Sequence, residues 1–336
     1  MSRWFSTQRR GGAEKDAKQG WLFSAPLRLC VRLIFVFQSA ALLADDFDYR
    51  LHATQVAPEV HALIGRSEDF TPANGGNIVN TGFIIAPAGV IVIDSGPSRR
   101  YGEQLRAAIA SVTTKPLAMV LNTHHHPDHF LGNQAFADTP IAALAATRQG
   151  IFSDGNAFAE NLYRLTGDWM SGTEVLAPTQ TLVAGEREIA GRRLRLIGLD
   201  GHTGGDLAIY DATSGVLFAG DLVFNGRAPT TPHADITHWL AALDQLAAIT
   251  REPGFTRLVP GHGAVAKDGA PIEQTRAWLL WLRQTMRQSA AAGLDMNEVL
   301  ARPLPPAFAG LPEAASEYRR SVGHFFPAAE AEALQQ

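Results

Sequence analysis

The chain has 336 residues, of which 46% are hydrophobic and 18% charged, as in a folded protein with a large core. Its formal net charge of −4 argues against a nucleic-acid-binding protein, which is normally basic. The single cysteine, Cys30, excludes an intramolecular disulfide framework and a cysteine-rich zinc module. Special chemistry must therefore come from the 11 histidines and 33 acidic residues.

The first 44 residues combine a basic segment with a short apolar run. Seven Lys and Arg residues against two acids give this segment a net charge of +5, and residues 33–44 are almost entirely apolar. These 12 residues are fewer than the roughly 20 that a membrane-spanning helix needs. The order predicts a signal peptide over 1–44, cleaved near Ala44, and hence a periplasmic protein without a stable membrane span. An uncleaved interfacial anchor and a cytoplasmic tail are the alternatives.

Beyond residue 56 the chain alternates between strand and helix patterns. Strands are predicted over 78–85, 90–94, 117–122, 181–183, 194–199, 207–210, 216–219 and 257–259. Helices are predicted over 98–113, 236–249 and 272–292. Residues 142–169 mix helical and loop signals, with Gly150, Gly155 and Gly167 as interruptions. Two blocks of strands with helices between them predict two sheets packed face to face, with helices outside.

The strongest chemical signal is the segment 123–129, Thr-His-His-His-Pro-Asp-His, which directly follows an apolar run. His124 and His126 are two residues apart, so on an extended backbone their side chains point to the same side. Asp128 and His129 follow a proline, where the chain turns toward a neighbouring point. Imidazoles together with a carboxylate suit Zn²⁺. His125 lies between two of these residues and is expected to point away, either supporting the ligands from behind or exposed.

Three further polar residues each follow an apolar, strand-like run and lie beside glycine: His202, Asp221 and His262. Glycine permits the tight turns and close approach that a shared centre requires. Each residue alone is a weak signal, but in this order and spacing the set is specific. Five histidines and two aspartates are enough for two divalent ions with open positions for water. Such a pair lowers the pKa of a shared water and polarises a substrate oxygen.

This pattern resembles the metallo-β-lactamase fold superfamily over about residues 56–265. The resemblance implies an α/β fold: an αββα sandwich of two mixed β-sheets with helices on the outer faces and metals at one edge. It implies a first metal held by His124, His126 and His202, and a second held by Asp128, His129 and His262. Asp221 is then the carboxylate that bridges both metals. Asp94, at the end of an early strand, matches a position that buttresses the ligands.

Asp221 also distinguishes between members of that superfamily. β-Lactamases of the main subclass have Cys at this position and another subclass has Ser, whereas Asp resembles the glyoxalase II-type thioesterases and related ester or lactone hydrolases. This ligand set implies two Zn²⁺, with Fe or Mn as alternatives. The runs 77–83, 234–240 and 273–279 resemble the exported, SoxH-like metallohydrolases of quinoprotein relay systems. That resemblance implies a periplasmic quinoprotein dehydrogenase as a partner.

The sequence therefore predicts a dinuclear zinc hydrolase over residues 45–336, with a C-terminal helical extension from about 270. A metal-bridging hydroxide would attack an ester, thioester, lactone or amide carbonyl of a small molecule, with Asp128 as a catalytic residue as well as a ligand. A β-lactam-hydrolysing enzyme with Asp in place of Cys, and a non-catalytic metal-bearing accessory protein for quinoproteins, are the alternatives. Residues 66–76 and 150–175 are candidate walls of the site. Arg227 and Trp169 are candidate substrate contacts, with ordinary packing as the alternative for each.

Overall fold

The computed structural model describes residues 47–335, so the predicted signal peptide lies outside the described residues. The first sheet contains β1 (Thr54–Ala57), β2 (Val60–Leu63), β3 (Thr81–Ala86), β4 (Gly89–Ile93), β5 (Leu117–Leu121), β6 (Ile141–Leu144) and β7 (Gln180–Leu182). The second contains β8 (Gly185–Ile189), β9 (Arg192–Leu199), β10 (Asp206–Asp211), β11 (Val216–Asn225) and β12 (Arg257–Gly263). The helices are α1 (Arg99–Val112), α2 (Pro127–Phe130), α3 (Ala145–Thr166), α4 (Ile236–Ile249), α5 (Ala270–Ala291), α6 (Met296–Leu300), α7 (Pro306–Ala309) and α8 (Ala314–Ala333). Within residues 47–335, no helix combines the length and apolar character that crossing a membrane requires.

Both sheets are mixed. In the first, β1 to β4 pair antiparallel in chain order and β4 to β7 pair parallel. In the second, β8 to β11 pair antiparallel and β12 adds parallel to β11. Strands β9, β11 and β12 therefore run in one direction and end at the same edge of their sheet. Loops that follow these strands are brought together there.

Strand β4 shows why the core has layers. Ile91 packs between the two sheets, in one cluster with Phe218 of β11, whereas Val92 packs with Leu105 of α1 on the outer face. Successive strand side chains point to opposite faces, so a strand that is covered on both sides is apolar throughout. The arrangement confirms the predicted sandwich of two mixed sheets with helices on the outer faces.

The C-terminal helices cover the outer face of the second sheet. Trp239 of α4, Trp278 of α5 and Phe326 of α8 are fully buried in one cluster with Leu217 of β11. The helix predicted over 272–292 is observed as Ala270–Ala291. The C-terminal extension is thus part of the main core, and it places α8 where its side chains reach the functional edge.

The prediction that glycines interrupt residues 142–169 is wrong at two positions. Helix α3 runs through Gly150 and Gly155 and stops only before Gly167, whose φ is 65°. A Cβ at Gly150 would lie 2.6 Å from Cγ of His125, and one at Gly155 would lie 2.9 Å from Val175. Glycine is required there for close packing, which outweighs its cost of about 1 kcal/mol within a helix.

Candidate metal centre

The predicted ligands meet at one edge of the sandwich. The segment 122–129 follows β5 and enters α2, His202 follows β9, and Asp221 and His262 lie in the second halves of β11 and β12. Asn80, which directly precedes β3 of the first sheet, bonds to β12 of the second: its Nδ2 donates to the carbonyl of Pro260 at 2.9 Å. The strand ends of both sheets therefore face one small volume.

Glycine permits the closest approach within this edge. Gly261 of β12 passes so near to β11 that a Cβ would lie 1.9 Å from Oδ1 of Asp221. Gly220 has a φ of 52°, at a point where the pairing of β11 with β12 shifts register. A register shift of this kind re-aims the following side chain. Asp221 is thereby directed into the centre rather than along the regular sheet.

The first group of candidate ligands consists of four buried side chains whose ligand atoms lie within 4.8 Å of one another: His124, His126, His202 and Asp221. Nε2 of His202 lies 2.9 Å from Nδ1 of His126 and 3.4 Å from Oδ2 of Asp221. Nε2 of His124 lies 3.9 Å from the same carboxylate oxygen. Three imidazoles and one carboxylate form a donor set that suits Zn²⁺.

The second group consists of Asp128, His129 and His262, which are also buried and also have their ligand atoms within 4.8 Å of one another. Asp221 contacts this group too. Its Oδ1 lies 3.1 Å from Nε2 of His129, and its Oδ2 lies 3.1 Å from Nε2 of His262. The structure thus brings all seven predicted ligands together and places Asp221 between the two groups.

Asp94 supports the histidine loop from behind. Its Oδ2 lies 2.8 Å from Nδ1 of His129, and its Oδ1 accepts from the backbone N–H of Thr123 at 2.7 Å. With Nδ1 of His129 donating to Asp94, Nε2 faces the site as a metal ligand. Asp94 has a φ of 57°, a conformation that costs about 1–3 kcal/mol in a non-glycine residue. The strained conformation of Asp94 therefore has a structural role, because its carboxylate holds both His129 and the backbone of Thr123.

The side chains of the two candidate ligand groups are suited to hold metal ions. Among residues 47–335, the buried Nε2 atoms of His124 and His129 and Oδ1 of Asp221 have no partner in hydrogen-bonding geometry, although Nε2 of His129 and Oδ1 of Asp221 lie 3.1 Å apart. Nδ1 of His262 donates to the carbonyl of Ile78 at 2.7 Å, so that its Nε2 faces the centre. Buried polar atoms without a partner are costly, and a divalent cation would satisfy them.

Burial sets the protonation of the ligands. Burial, together with neighbouring imidazoles, lowers the pKa of His124 and His126 well below the usual value, and burial lowers the pKa of His202 to about 3. These rings are neutral at physiological pH and available as ligands. Burial also acts to lower the pKa of His129, but the carboxylates around it, led by Asp221, raise it well above its usual value. Metal binding at His129 therefore releases a proton.

A cavity of about 150 Å³ opens onto both groups. Its lining includes ligands, two phenylalanines and an arginine of α8, namely Asp128, Asp221, His262, Phe70, Phe158 and Arg320. Phe70 belongs to the segment 66–76 and Phe158 to the segment 150–175. The structure thus places both predicted walls beside the metal centre.

The structure places the two candidate substrate contacts in different surroundings. Arg227 borders the cavity, but its side chain is 1% exposed and its Nη2 lies 3.4 Å from Oε1 of the buried Glu317. This carboxylate pairs with the guanidinium of Arg227 inside the wall of the cavity. Trp169 is not in the cavity lining; it packs on Tyr49 with ring centroids 4.4 Å apart, and its Nε1 donates to the carbonyl of Pro72. It supports the segment 66–76 from the core.

Two other histidines lie beside the ligands. His125 is largely buried, stands outside both ligand groups that border Asp221, and lies near Phe158. His233 was not predicted as a site residue because no motif surrounds it. Its Nδ1 nevertheless lies 3.0 Å from Nε2 of His126. The only sequence signal is its position in the loop after Asp221, which brings it to the rim of the cavity.

We expect His233→Ala to weaken metal binding by about 10- to 100-fold, the usual cost of losing a group that orients a metal-ligating histidine. Nε2 of His126 loses its partner in this variant, so the ring is less firmly held with Nδ1 toward the centre. Competition with a chelator of known zinc affinity measures the effect. His238→Ala, which removes an exposed histidine paired with Asp200, is the control and should bind zinc like the wild type. Equal affinity of His233→Ala and wild type would contradict this role.

The chain is similar to known proteins in sequence and in fold. The family model described as the metallo-beta-lactamase superfamily matches residues 74–262, more than half of the chain. In structure, the chain is similar to a metallo-beta-lactamase from Pontibacter korlensis, with a TM-score of 0.54 and 22% identity, over 68% of this chain and 99% of that one. This likeness shows a shared fold.

Among curated proteins, the chain is 23% identical over 286 residues to a linear primary-alkylsulfatase of a Pseudomonas species, covering 72% of this chain and 53% of that protein. It is 29% identical over 192 residues to a hydroxyacylglutathione hydrolase of Rhodospirillum rubrum, covering 57% of this chain and 64% of that protein. It is 25% identical over 215 residues to an acyl-coenzyme A thioesterase of Bos taurus, covering 56% of this chain and 74% of that protein. The chain spans about half the length of the alkylsulfatase. The family match, which covers more than half of the chain, shows together with the fold and the cluster of candidate metal ligands that the chain belongs to the metallo-β-lactamase superfamily.

Proposed function

We propose that the chain is a dinuclear zinc hydrolase that cleaves carbonyl substrates, with thioesters as the preferred class and esters, lactones and amides as related ones. The position of Asp221 carries this proposal. Its two oxygens lie within 3.1 to 3.4 Å of His129, His202 and His262, which come from both ligand groups. A carboxylate between two such groups is placed to serve two cations at once.

The thioester preference draws support from the relatives and from the cavity. Two of the curated relatives are named for hydrolysis of hydroxyacylglutathione and of acyl-coenzyme A, and both compounds are thioesters. The cavity walls carry Phe70 and Phe158, which provide apolar surface for an acyl chain next to the ligands. An acyl carbonyl held there would lie above the ligand carboxylates.

Different residues of the chain would transfer the proton and exclude water from the site. Two bound divalent cations would supply Lewis acidity for the carbonyl oxygen and lower the pKa of water. Oδ2 of Asp128 lies 3.5 Å from Nε2 of His262, and the residue lines the cavity. Its carboxylate is placed to accept a proton from the attacking water and to return it to the leaving group. Phe70 and Phe158 would restrict the access of bulk water.

The test combines metal counting with a substrate panel. We expect zinc-loaded protein to contain two zinc ions per chain by elemental analysis, and to hydrolyse thioesters with a higher kcat/KM than matched oxygen esters, lactones or β-lactams. Saturation at one zinc would refute the dinuclear site. Preferential cleavage of β-lactams would instead support the lactamase alternative. Protein that holds two zinc ions without turning over any member of the panel would support the accessory-protein alternative.

We propose in addition that the protein is exported and acts beside a periplasmic quinoprotein dehydrogenase. The basic and then apolar order of residues 1–44 supports export, and the resemblance of 77–83, 234–240 and 273–279 to quinoprotein-associated metallohydrolases supports the partner. Cell fractionation should recover a shortened protein, beginning near Asp45, from the periplasm. Full-length protein in the cytoplasm would contradict export, and failure to co-purify with any quinoprotein dehydrogenase would contradict the partnership.

A further inference from the structure

The C-terminal helix α8 contributes a charged side chain to the cavity above the metal centre. Arg320 borders this cavity together with the ligands Asp128, Asp221 and His262. Helix α8 (Ala314–Ala333) lies beyond the region that the superfamily model matches, which ends at residue 262. Arg320 therefore lies outside the region that carries the shared ligand set.

One buried carboxylate, that of Glu317, pairs with Arg320. Glu317, one helical turn earlier, is completely buried, and its Oε1 accepts from Nη1 of Arg320 at 3.0 Å. The same oxygen accepts from Oγ1 of Thr230 at 2.6 Å and lies 3.4 Å from Nη2 of Arg227. Glu317 thus anchors two arginines in the wall of the cavity.

A second carboxylate that borders the cavity, that of Asp69, also contacts Arg320. Nη2 of Arg320 donates to Oδ2 of Asp69, which belongs to the segment 66–76. The side chains of Arg320 and Asp69 are 39% and 27% exposed, whereas that of Glu317 is fully buried. Exposed ion pairs contribute little to stability because water and salt screen them. Asp69 is therefore the exchangeable partner of Arg320, and Glu317 is the permanent one.

The charges of this wall depend on whether Asp69 is in place. Within the cluster of Arg227, Arg320, Glu317 and Asp69, two arginines are paired with two carboxylates, and Glu313 of the same chain end adds a negative charge near Arg320. When the carboxylate of Asp69 moves away, the Nη2 group of Arg320 loses its partner and faces the cavity beside the metal ligands. Arg227 cannot provide such a free donor, because its guanidinium is enclosed with Glu317 and also donates to the carbonyl of Ala228. The free donor is therefore Nη2 of Arg320.

We propose that Arg320 binds an anionic group of the substrate, a carboxylate or a sulfate, which takes the place of Asp69. This inference rests on the proposed function, because it takes the cavity to be the substrate site. The planar guanidinium forms directional, charge-assisted hydrogen bonds with such oxyanions, and Glu317 orients it in advance. Asp69 occupies the same donor when no substrate is bound, so its carboxylate competes with that of the substrate.

Paired thioesters test the proposal: one member carries a terminal carboxylate on the acyl chain, and the other carries the carboxamide of the same length. We expect the zinc-loaded wild type to favour the anionic member in kcat/KM. Arg320→Gln should lower kcat/KM for this member by about 10- to 100-fold, with a much smaller change for the neutral one. Arg319→Gln, which removes an exposed arginine at the neighbouring position of α8, is the matched control and should keep the wild-type preference.

Asp69→Asn provides an effect of the opposite sign. Removal of the competing carboxylate should lower KM for the anionic thioester by roughly three- to fivefold and leave KM for the neutral member unchanged. Misfolding cannot produce such a gain, so this variant keeps the proposal testable if Arg320→Gln proves unstable. Equal use of both thioesters by the wild type, with no change in the ratio in either variant, would overturn the proposal and leave the hydrolase intact.

A binding measurement separates this proposal from the hydrolase itself. Butanesulfonate is a poor zinc ligand and represents the sulfate-type group; butyl methyl sulfone is its neutral match. Titration calorimetry on zinc-loaded protein should show sulfonate binding that weakens at least tenfold in Arg320→Gln and falls with ionic strength. Arg320-dependent binding without turnover of any thioester would support this inference while the proposed function fails. Sulfonate affinity that is equal in wild type and Arg320→Gln would refute a sulfate-type ligand, and the thioester pair then decides for the carboxylate.

Discussion

Asp221→Ala is expected to prevent the binding of two metals. The carboxylate contacts both ligand sets: its Oδ2 lies 3.4 Å from Nε2 of His202 in the first set, and its Oδ1 lies 3.1 Å from Nε2 of His129 in the second. The first set keeps three imidazoles in this variant, whereas the second keeps two imidazoles and the carboxylate of Asp128. Zinc titration followed by elemental analysis should therefore show at most one tightly bound zinc, with the second site losing its metal first. Hydrolysis should fall by at least about 10²-fold.

The control for this variant is Asp244→Ala, which removes a carboxylate that is 74% exposed and pairs with Arg276 on the surface. It should bind two zinc ions and retain full activity, because exposed ion pairs contribute little. A zinc content of two in Asp221→Ala would show that the two ligand groups act independently of this carboxylate.

Asp128→Asn is expected to lower kcat by roughly 10²- to 10⁴-fold, with a smaller effect on KM. The amide keeps the size of the side chain and one oxygen for a metal, but it no longer accepts a proton from the attacking water. Steady-state kinetics on protein with a verified zinc content measure this loss. Asp168→Asn, at an exposed position outside the cavity, serves as the control. A normal kcat in Asp128→Asn would assign proton transfer to another group.

The comparison of His125→Ala with His126→Ala tests the register of the same loop. His126 belongs to the ligand group with Asp221, whereas His125 does not. We therefore expect His126→Ala to lose metal and His125→Ala to keep it. The reverse result would mean that the alternation of side chains along this loop has been assigned to the wrong residues.

Local sequence pattern predicted two packed sheets and the candidate ligands, and the resemblance to the metallo-β-lactamase fold superfamily supplied the αββα sandwich and the division of the ligands between two metals. The apolar run over 90–94 predicted a strand, and the structure shows this strand, β4, buried along its whole length. The histidine loop and the glycine-flanked His202, Asp221 and His262 are compact signals, since the ligand types and the turns they need are adjacent in the chain. The structure places these residues within one small volume, as their spacing predicts.

The surroundings of the other side chains at the cavity depend on contacts between residues that are far apart in the chain. Local sequence pattern carries no information about such contacts. Arg227 looked available for a substrate until α8 brought Glu317 against it, 90 residues away in the chain. His233 contacts His126 across 107 residues, and Arg320 reaches Asp69 across 251. Whether a charged side chain is free or neutralised is decided by the partner that the tertiary fold supplies, because burial makes pairing obligatory. The sequence by itself determined the chemistry at the ligands, and only the tertiary structure decided which charges remain to select a substrate.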